Sequence, residues 1–169
     1  MGVIPRFTSA DILRDLQKGR QQIENGIVRI LQKVGEQFVA EARQNVNVGG
    51  LFPKGNYKDH TANLRSSIGY FVLNNGIIVT ENLYGNAEGE SAAKSAMEKI
   101  PKSGYQLICV AGMDYASYVQ SKGYNVIRVQ QDFALVNAEK LLNQFRDRMQ
   151  KKGEGFEFEG SDIVTGIYR

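Results

Sequence analysis

The chain has 169 residues, 42% of them apolar and 23% charged, with 8 Phe, 8 Tyr and no Trp. That balance excludes a disordered or collagen-like chain and leaves one ordinary globular domain with a core to bury. The 21 basic and 18 acidic residues give a net charge of +3, too weak a field to make nucleic acid the dominant partner. No apolar run approaches the roughly 18 residues of a membrane span. Residues 1–7 lack the apolar core of a signal peptide, so the expectation is a protein made and used in a reducing cytosol. Cys109 is the single cysteine, which rules out an intrachain disulfide.

Thr8, with Asp11 three residues on, has the spacing of a capping box at a helix start. Ile12, Leu16, Ile23, Ile27, Ile30, Val34 and Phe38 then recur on one helical face, and the pattern runs to about residue 45. Unbroken, such a helix is about 55 Å long at 1.5 Å per residue. It would outrun a domain of this size, so its distal part has to project or lie against another subunit, with Ile27 and Phe38 as candidate contact residues. Alternatively, Gly19 or Gly26 breaks it into two helices on one core. Residues 48–58, with Gly49-Gly50, Pro53 and Gly55, read as a loop.

A hairpin follows. Residues 67–73 pair with residues 77–80 across Asn75-Gly76, a dipeptide suited to a type I′ turn. Ile68, Tyr70 and Val72 alternate with Phe71 and Leu73, so neither face is fully solvated. Residues 82–90 read as a polar loop. Residues 91–100 read as a short helix with Ala92, Ala93, Ala96 and Met97 inward, stopped by Pro101.

The continuous apolar run 107–111, between Gly104 and Gly112, reads as a central strand. Asp114 is placed to cap a short helix, 115–122, that Gly123 ends, and residues 124–129 alternate as a further strand. Asp132 opens a last helix to about residue 151, in which Leu135, Ala138, Leu142, Phe145 and Met149 repeat like a coiled-coil seam. The order of elements gives an α+β fold: a long N-terminal helix, a small, mainly antiparallel sheet with flanking helices, then a C-terminal helix and tail. Residues 1–152 form a single domain. Residues 153–169 form a C-terminal extension whose Phe156, Phe158, Ile163, Val164, Ile167 and Tyr168 are too apolar for a solvated tail. It is expected to become ordered on assembly, by strand addition to a neighbour's sheet edge.

The side chains offer little chemistry. One His and one Cys cannot supply the four ligands of a structural zinc site. Cys109 sits mid-strand among apolar neighbours and reads as packing. His60 lies beside Asp59 in a polar turn, with no Gly-x-Ser-x-Gly nucleophile elsewhere. The stretch Gly85-Asn86-Ala87-Glu88-Gly89 lacks the Lys-Ser/Thr of a phosphate loop, and no carboxylate cluster suggests a metal. Arg146, Arg148, Lys151 and Lys152 read as a solvated helix end. We therefore expect no catalytic, cofactor-binding or metal-binding residues, and a protein that works through its surfaces.

Two stretches carry a resemblance. Asp59-His60-Thr61-Ala62-Asn63-Leu64-Arg65-Ser66-Ser67-Ile68 resembles the Thr-Gly-x-Leu-x-x-Ser-Ile-like entry into the hairpin of the head–tail joining proteins of long-tailed phages, the gene-product-ten-like neck or tail-completion family. Val110-Ala111-Gly112-Met113-Asp114-Tyr115-Ala116-Ser117-Tyr118-Val119 resembles that family's strand followed by Tyr-Ala-x-Tyr-Val-Glu and a glycine. The order of elements matches over about residues 10–150. Ala62 stands where the family has Gly, and Gln120 where it has an acid. The resemblance implies a non-enzymatic virion protein, a head–tail connector or tail-completion ring subunit at the neck, made in the host bacterial cytoplasm. Its implied partners are further copies of itself and other neck and tail proteins, without a membrane. It singles out Thr61, Asn63, Leu64, Ser67, Ile68, Tyr115 and Tyr118 as motif residues, beside Ile27, Phe38, Phe156 and Phe158 from the surface argument. Two other readings stand open: a tail terminator or other minor tail subunit, and a small nucleic-acid-processing enzyme.

Overall fold

A computed structural model of the chain describes residues 8–44, 57–58, 61–83, 87–97 and 103–151. The capping box at Thr8 opens helix α1 (Ser9–Arg43) as the spacing requires. The Asp11 amide donates to the Thr8 hydroxyl at 3.3 Å, and the Thr8 amide donates to the Asp11 carboxylate at 2.9 Å. The helix runs unbroken for 35 residues, about 52 Å at 1.5 Å per residue.

Gly26 does not break α1; it seats a ring. A Cβ at Gly26 would lie 2.3 Å from Cζ of Phe145, and one at Gly35 would lie 2.5 Å from the Tyr70 ring. Each glycine costs the helix about 1 kcal/mol relative to Ala; Gly35 lets the fully buried Tyr70 ring lie against the helix backbone, and Gly26 does the same for the tip of the partly buried Phe145. The apolar stripe is buried from Ile23 onward, through Ile27, Leu31, Val34 and Phe38. This corrects the expectation for Ile27 and Phe38, which belong to the chain's own core because sheet and C-terminal helix both close over that part of α1. The part of α1 that projects carries Ile12, Leu13 and Leu16 instead, all exposed.

A one-turn helix, α2 (Asn63–Ser66), leads into β1 (Ile68–Asn74), which turns back into β2 (Ile77–Asn82). Asn75 and Gly76 have φ of 51° and 79°, the two positive values that a type I′ turn demands. The turn is tied to the start of β3 (Tyr105–Ala111): the Asn75 amide donates to the Gly104 carbonyl at 2.8 Å, and the Gly104 amide donates to Asn75 Oδ1 at 2.9 Å. The strand order is β2-β1-β3, all antiparallel, with Ile68 opposite Ala111 and Tyr70 opposite Cys109. The central strand is therefore β1. The run 107–111 is apolar throughout because both faces of the sheet are covered, and it occupies an edge among the described residues.

One face, with Tyr70, Val72, Leu107, Cys109 and Ala111, packs against α1. The other, with Phe71, Leu73, Ile108 and Val110, packs with Leu83 and with Met97 of helix α3 (Ala87–Met97). That helix begins four residues earlier than the sequence suggests, so its first turn takes in part of the presumed polar loop.

Beyond β3 comes α4 (Ala116–Ser121), closed by Gly123 at φ 86°. Tyr115, not Asp114, occupies the capping position and makes no side-chain cap bond. The alternation at 124–129 does not form the expected strand. Helix α5 (Arg128–Lys151) starts there, four residues before Asp132. The Val129 amide donates to Asn125 Oδ1 at 3.4 Å, and Asn125 Nδ2 donates to Gln130 Oε1 at 3.2 Å, so Asn125 closes the helix entry. The successive residues Val126 and Ile127 are both buried, which a half-buried strand would not permit.

α5 packs antiparallel on α1, with Asn137 Nδ2 donating to Gln37 Oε1 at 2.7 Å near its start and Phe145 seated on Gly26 near its end. Its seam is thus filled largely by its own chain: Ala138 and Met149 are buried, and Leu142 and Phe145 pack on the core. The expectation for residues 153–169, Phe156 and Phe158 among them, lies outside the described residues.

Candidate functional site

The two motif stretches meet at one end of the sheet. Ile68, where the first enters β1, pairs with Ala111, where the second leaves β3, and the Gly112 amide donates to the Ser67 carbonyl at 3.1 Å. The short helices α2 and α4 therefore flank the same sheet end.

The first stretch is a tightly bonded corner. Ala62 sits at φ 59°, ψ 4°, a left-handed conformation that a glycine adopts without steric cost. The Ser66 hydroxyl donates to the Asn63 carbonyl at 3.0 Å, and the Ser67 hydroxyl to the Leu64 carbonyl at 2.8 Å. Arg43, in the last turn of α1, donates to the Ile68 carbonyl at 2.7 Å, fastening this corner to the long helix. Leu64, Ser67 and Ile68 are buried, so their part is to hold the corner in place. Thr61 and Asn63 stand on the surface, with the Asn63 amide donating to Thr61 Oγ1 at 3.5 Å. His60 and Asp59 lie outside the described residues.

The second stretch presents two rings. Ala116 is fully buried and anchors α4, while Tyr115 is 41% and Tyr118 60% exposed. Lys122 Nζ lies 5.0 Å from the Tyr118 ring centroid, within the range of a cation–π contact. Gln120, where the resemblance expects an acid, accepts from the Ile127 amide through Oε1 at 3.5 Å and so binds the turn that leads to α5.

Glu36 joins the other elements. Its Oε1 accepts from the hydroxyl of the buried Tyr70 at 2.9 Å, and its Oε2 accepts from Asn82 Nδ2 at 2.7 Å. One carboxylate thereby fixes α1 across β1 and β2. Cys109 is buried, and burial pushes its thiol well above the ordinary range, so it stays a neutral packing group at neutral pH. Among the described residues no three His, Cys, Asp or Glu side chains come together as a metal-holding group.

Sequence reasoning missed other exposed apolar groups. On β2, Ile77, Ile78 and Val79 are exposed although the hairpin pattern suggested covered faces. On α5, Phe133 and Val136 are exposed beside a groove lined by Gln37, Glu41, Gln130 and Lys140. That second pair was detectable, since neither residue falls on the periodic stripe that runs from Leu135 to Met149.

Fold and site together define a small α+β protein whose two motif stretches meet at one sheet end and leave Tyr115 and Tyr118 exposed. Residues 10–120 match the HK97-gp10-like family model, described as "Bacteriophage HK97-gp10, putative tail-component". The match covers more than half of the chain and includes both motif stretches, and the chain belongs to that family. The family is one of phage tail components, which gives the chain a structural part in a phage particle and makes other tail proteins its partners. Neither the curated proteins nor the solved structures return a match. Among the described residues no helix is long and apolar enough to cross a membrane.

Proposed function

We propose that the protein is a head–tail connector or tail-completion subunit that assembles as a ring at the neck of a tailed phage and works by binding, without catalysis. The observation that carries this reading is the convergence of the two family stretches on one sheet end, where buried Leu64, Ser67, Ile68 and Ala116 brace exposed Tyr115 and Tyr118. Rings with a phenol at the tip suit a contact surface, since each offers apolar area and a hydroxyl at little entropic cost. Exposed β2 and the projecting start of α1 supply further surface for neighbouring subunits. Thr61 and Asn63 belong to the rim of the sheet-end surface.

Electron microscopy of particles made without the gene tests the proposal. Full heads and complete tails that fail to join are the expected result. Tails of uncontrolled length would instead make the protein a tail terminator, and normal joined particles would remove it from the neck.

A further inference from the structure

The seam between α1 and α5 carries a surplus of positive charge. Its register is set by Asn137 on Gln37 and by Phe145 on Gly26. Arg29 and Lys33 lie between Gly26 and Gln37 at helical spacing on α1, and Lys140, Arg148 and Lys151 follow Asn137 on the same flank of α5. All five stand on the surface, and among the described residues none of them is ion-paired. The acids of the two helices are engaged or turned elsewhere. Asp11, Asp15, Glu24 and Asp147 pair with Arg14, Lys18, Arg20 and Arg146, and Glu36 accepts from Tyr70 and Asn82. Asp132 and Glu139 share the other flank of α5, and Glu41 sits beside Lys140 at the far end of the seam. At the near end, where α5 stops at Lys151, Gln22, Asn25, Gly26, Arg29, Phe145 and Met149 line a groove.

We infer that residues 154–159 of the same chain fold back along this seam, with Phe156 in the groove over Gly26 and Phe145 and with Glu154, Glu157 and Glu159 among the five cations. The segment then lies on its own subunit, in place of the neighbour's sheet edge that the sequence suggests, and the contact is independent of the ring reading. Reach allows it. The six residues from Phe145 to Lys151 rise about 9 Å, and the five from Lys151 to Phe156 can span up to about 17 Å. Gly153 and Gly155 supply the backbone freedom for the reversal. Charge favours it, because residues 153–162 hold four acids and no base, against five cations on the seam. The groove suits a ring, since its floor is the helix backbone at Gly26 with Phe145 and Met149 beside it.

The same copy is the donor because α5 delivers the segment to the groove. A tether of five residues holds Phe156 at an effective concentration in the mM range, far above what a separate subunit offers in dilute solution.

A full-length chain carrying both Gln22→Cys and Phe156→Cys tests this; native Cys109 is buried and stays silent. In dilute solution under air oxidation it should form a disulfide within one chain, at the mass of a single subunit. No disulfide, or one formed only between chains, overturns the fold-back. Chymotrypsin, which cuts after Phe156 and Phe158, gives a second readout. Arg29→Glu with Lys33→Glu should keep the circular dichroism spectrum of the native chain yet be cut there about fivefold faster. Equal cleavage of the variant and the native chain overturns the contact between the acidic segment and the seam.

Discussion

Ala62 holds a left-handed backbone at φ 59° in the position where the family resemblance has glycine, so the departure is one of steric cost, not of fold. A left-handed residue with a Cβ costs about 1–2 kcal/mol, part of which glycine returns through its freer unfolded state. Ala62→Gly is therefore expected to stabilise the protein by about 1 kcal/mol, seen as a rise of a few degrees in Tm. No rise would mean that the corner tolerates the strain. Gly35 and Gly26 act in the opposite sense. At Gly35 a methyl group meets the ring of Tyr70, which is fully buried and held by Glu36. At Gly26 it meets the tip of Phe145, which is only partly buried and has room to move. Gly35→Ala should cost about 2–3 kcal/mol by overpacking. Gly26→Ala should cost less than about 1 kcal/mol, because the gain in helix propensity offsets the crowding. Equal losses in urea denaturation would refute this ordering. Alkaline pH acts on two further residues. Burial raises the Cys109 thiol above its ordinary 9.0. The Tyr105 phenol is raised above 10.0, first by burial and then by the charge of Glu24. Both groups stay neutral in the folded chain while the unfolded chain begins to ionise. Their stabilisation is complete below about pH 9 and is lost as pH rises through the folded values. The melting temperature should be level up to that pH and fall beyond it, and Cys109 should resist thiol reagents at pH 8 until the protein unfolds.

At the scale of elements, what the sequence revealed depends on whether the signal was local. The start of α1 was legible because Thr8 and Asp11 satisfy each other three residues apart, and the hairpin because Asn75-Gly76 tolerates positive φ. The α+β class followed from these. The start of α5 was hidden, since Asn125 caps it through bonds to Val129 and Gln130 that a period-2 pattern cannot express. The rank of β3 in the sheet was hidden too: an apolar run reports that both faces are covered, here by α1 and by α3, and says nothing of edges. The candidate site could be read from the sequence only as two separate motifs; their meeting at one sheet end is a tertiary fact, set by Ile68 opposite Ala111. α1 shows the same division within one helix. Its periodicity continues without change from Ile12 to Phe38, yet only the part from Ile23 onward has α5 and the sheet against it. Phe38→Ala should therefore cost about 3–5 kcal/mol, whereas Leu13→Ala should change stability by no more than about 0.5 kcal/mol. Urea unfolding of the two variants checks this, and a large loss from Leu13→Ala would place the first turns in the subunit's own core.

At the scale of the whole molecule, the exposed apolar groups lie in separate places. Ile12, Leu13 and Leu16 mark the projecting start of α1, Tyr115 and Tyr118 mark the sheet end where the motifs meet, and Ile77, Ile78 and Val79 mark β2. A subunit of the ring proposed above would have lateral neighbours and partners above and below, and such a position calls for several separated contact areas. β2 is the clearest case because it is an edge strand of the described sheet, and a bare apolar edge is a hazard that soluble proteins usually blunt with charge. Here Glu81 is the one charged residue in the strand, and Ile77 is 72% exposed. Substituting Ile77→Lys together with Val79→Lys changes side chains that bury little area in the subunit, so folding stability should shift by less than about 1 kcal/mol. If β2 is covered in the assembled neck, the same pair of lysines would have to be desolvated there, and complementation of a phage lacking the gene should fall at least tenfold while the purified subunit melts as before. Tyr118→Ala, on the distant sheet end, provides the comparison: loss with Tyr118→Ala but full complementation by the double lysine variant would assign contact to the tyrosines and leave the β2 edge facing solvent in the particle.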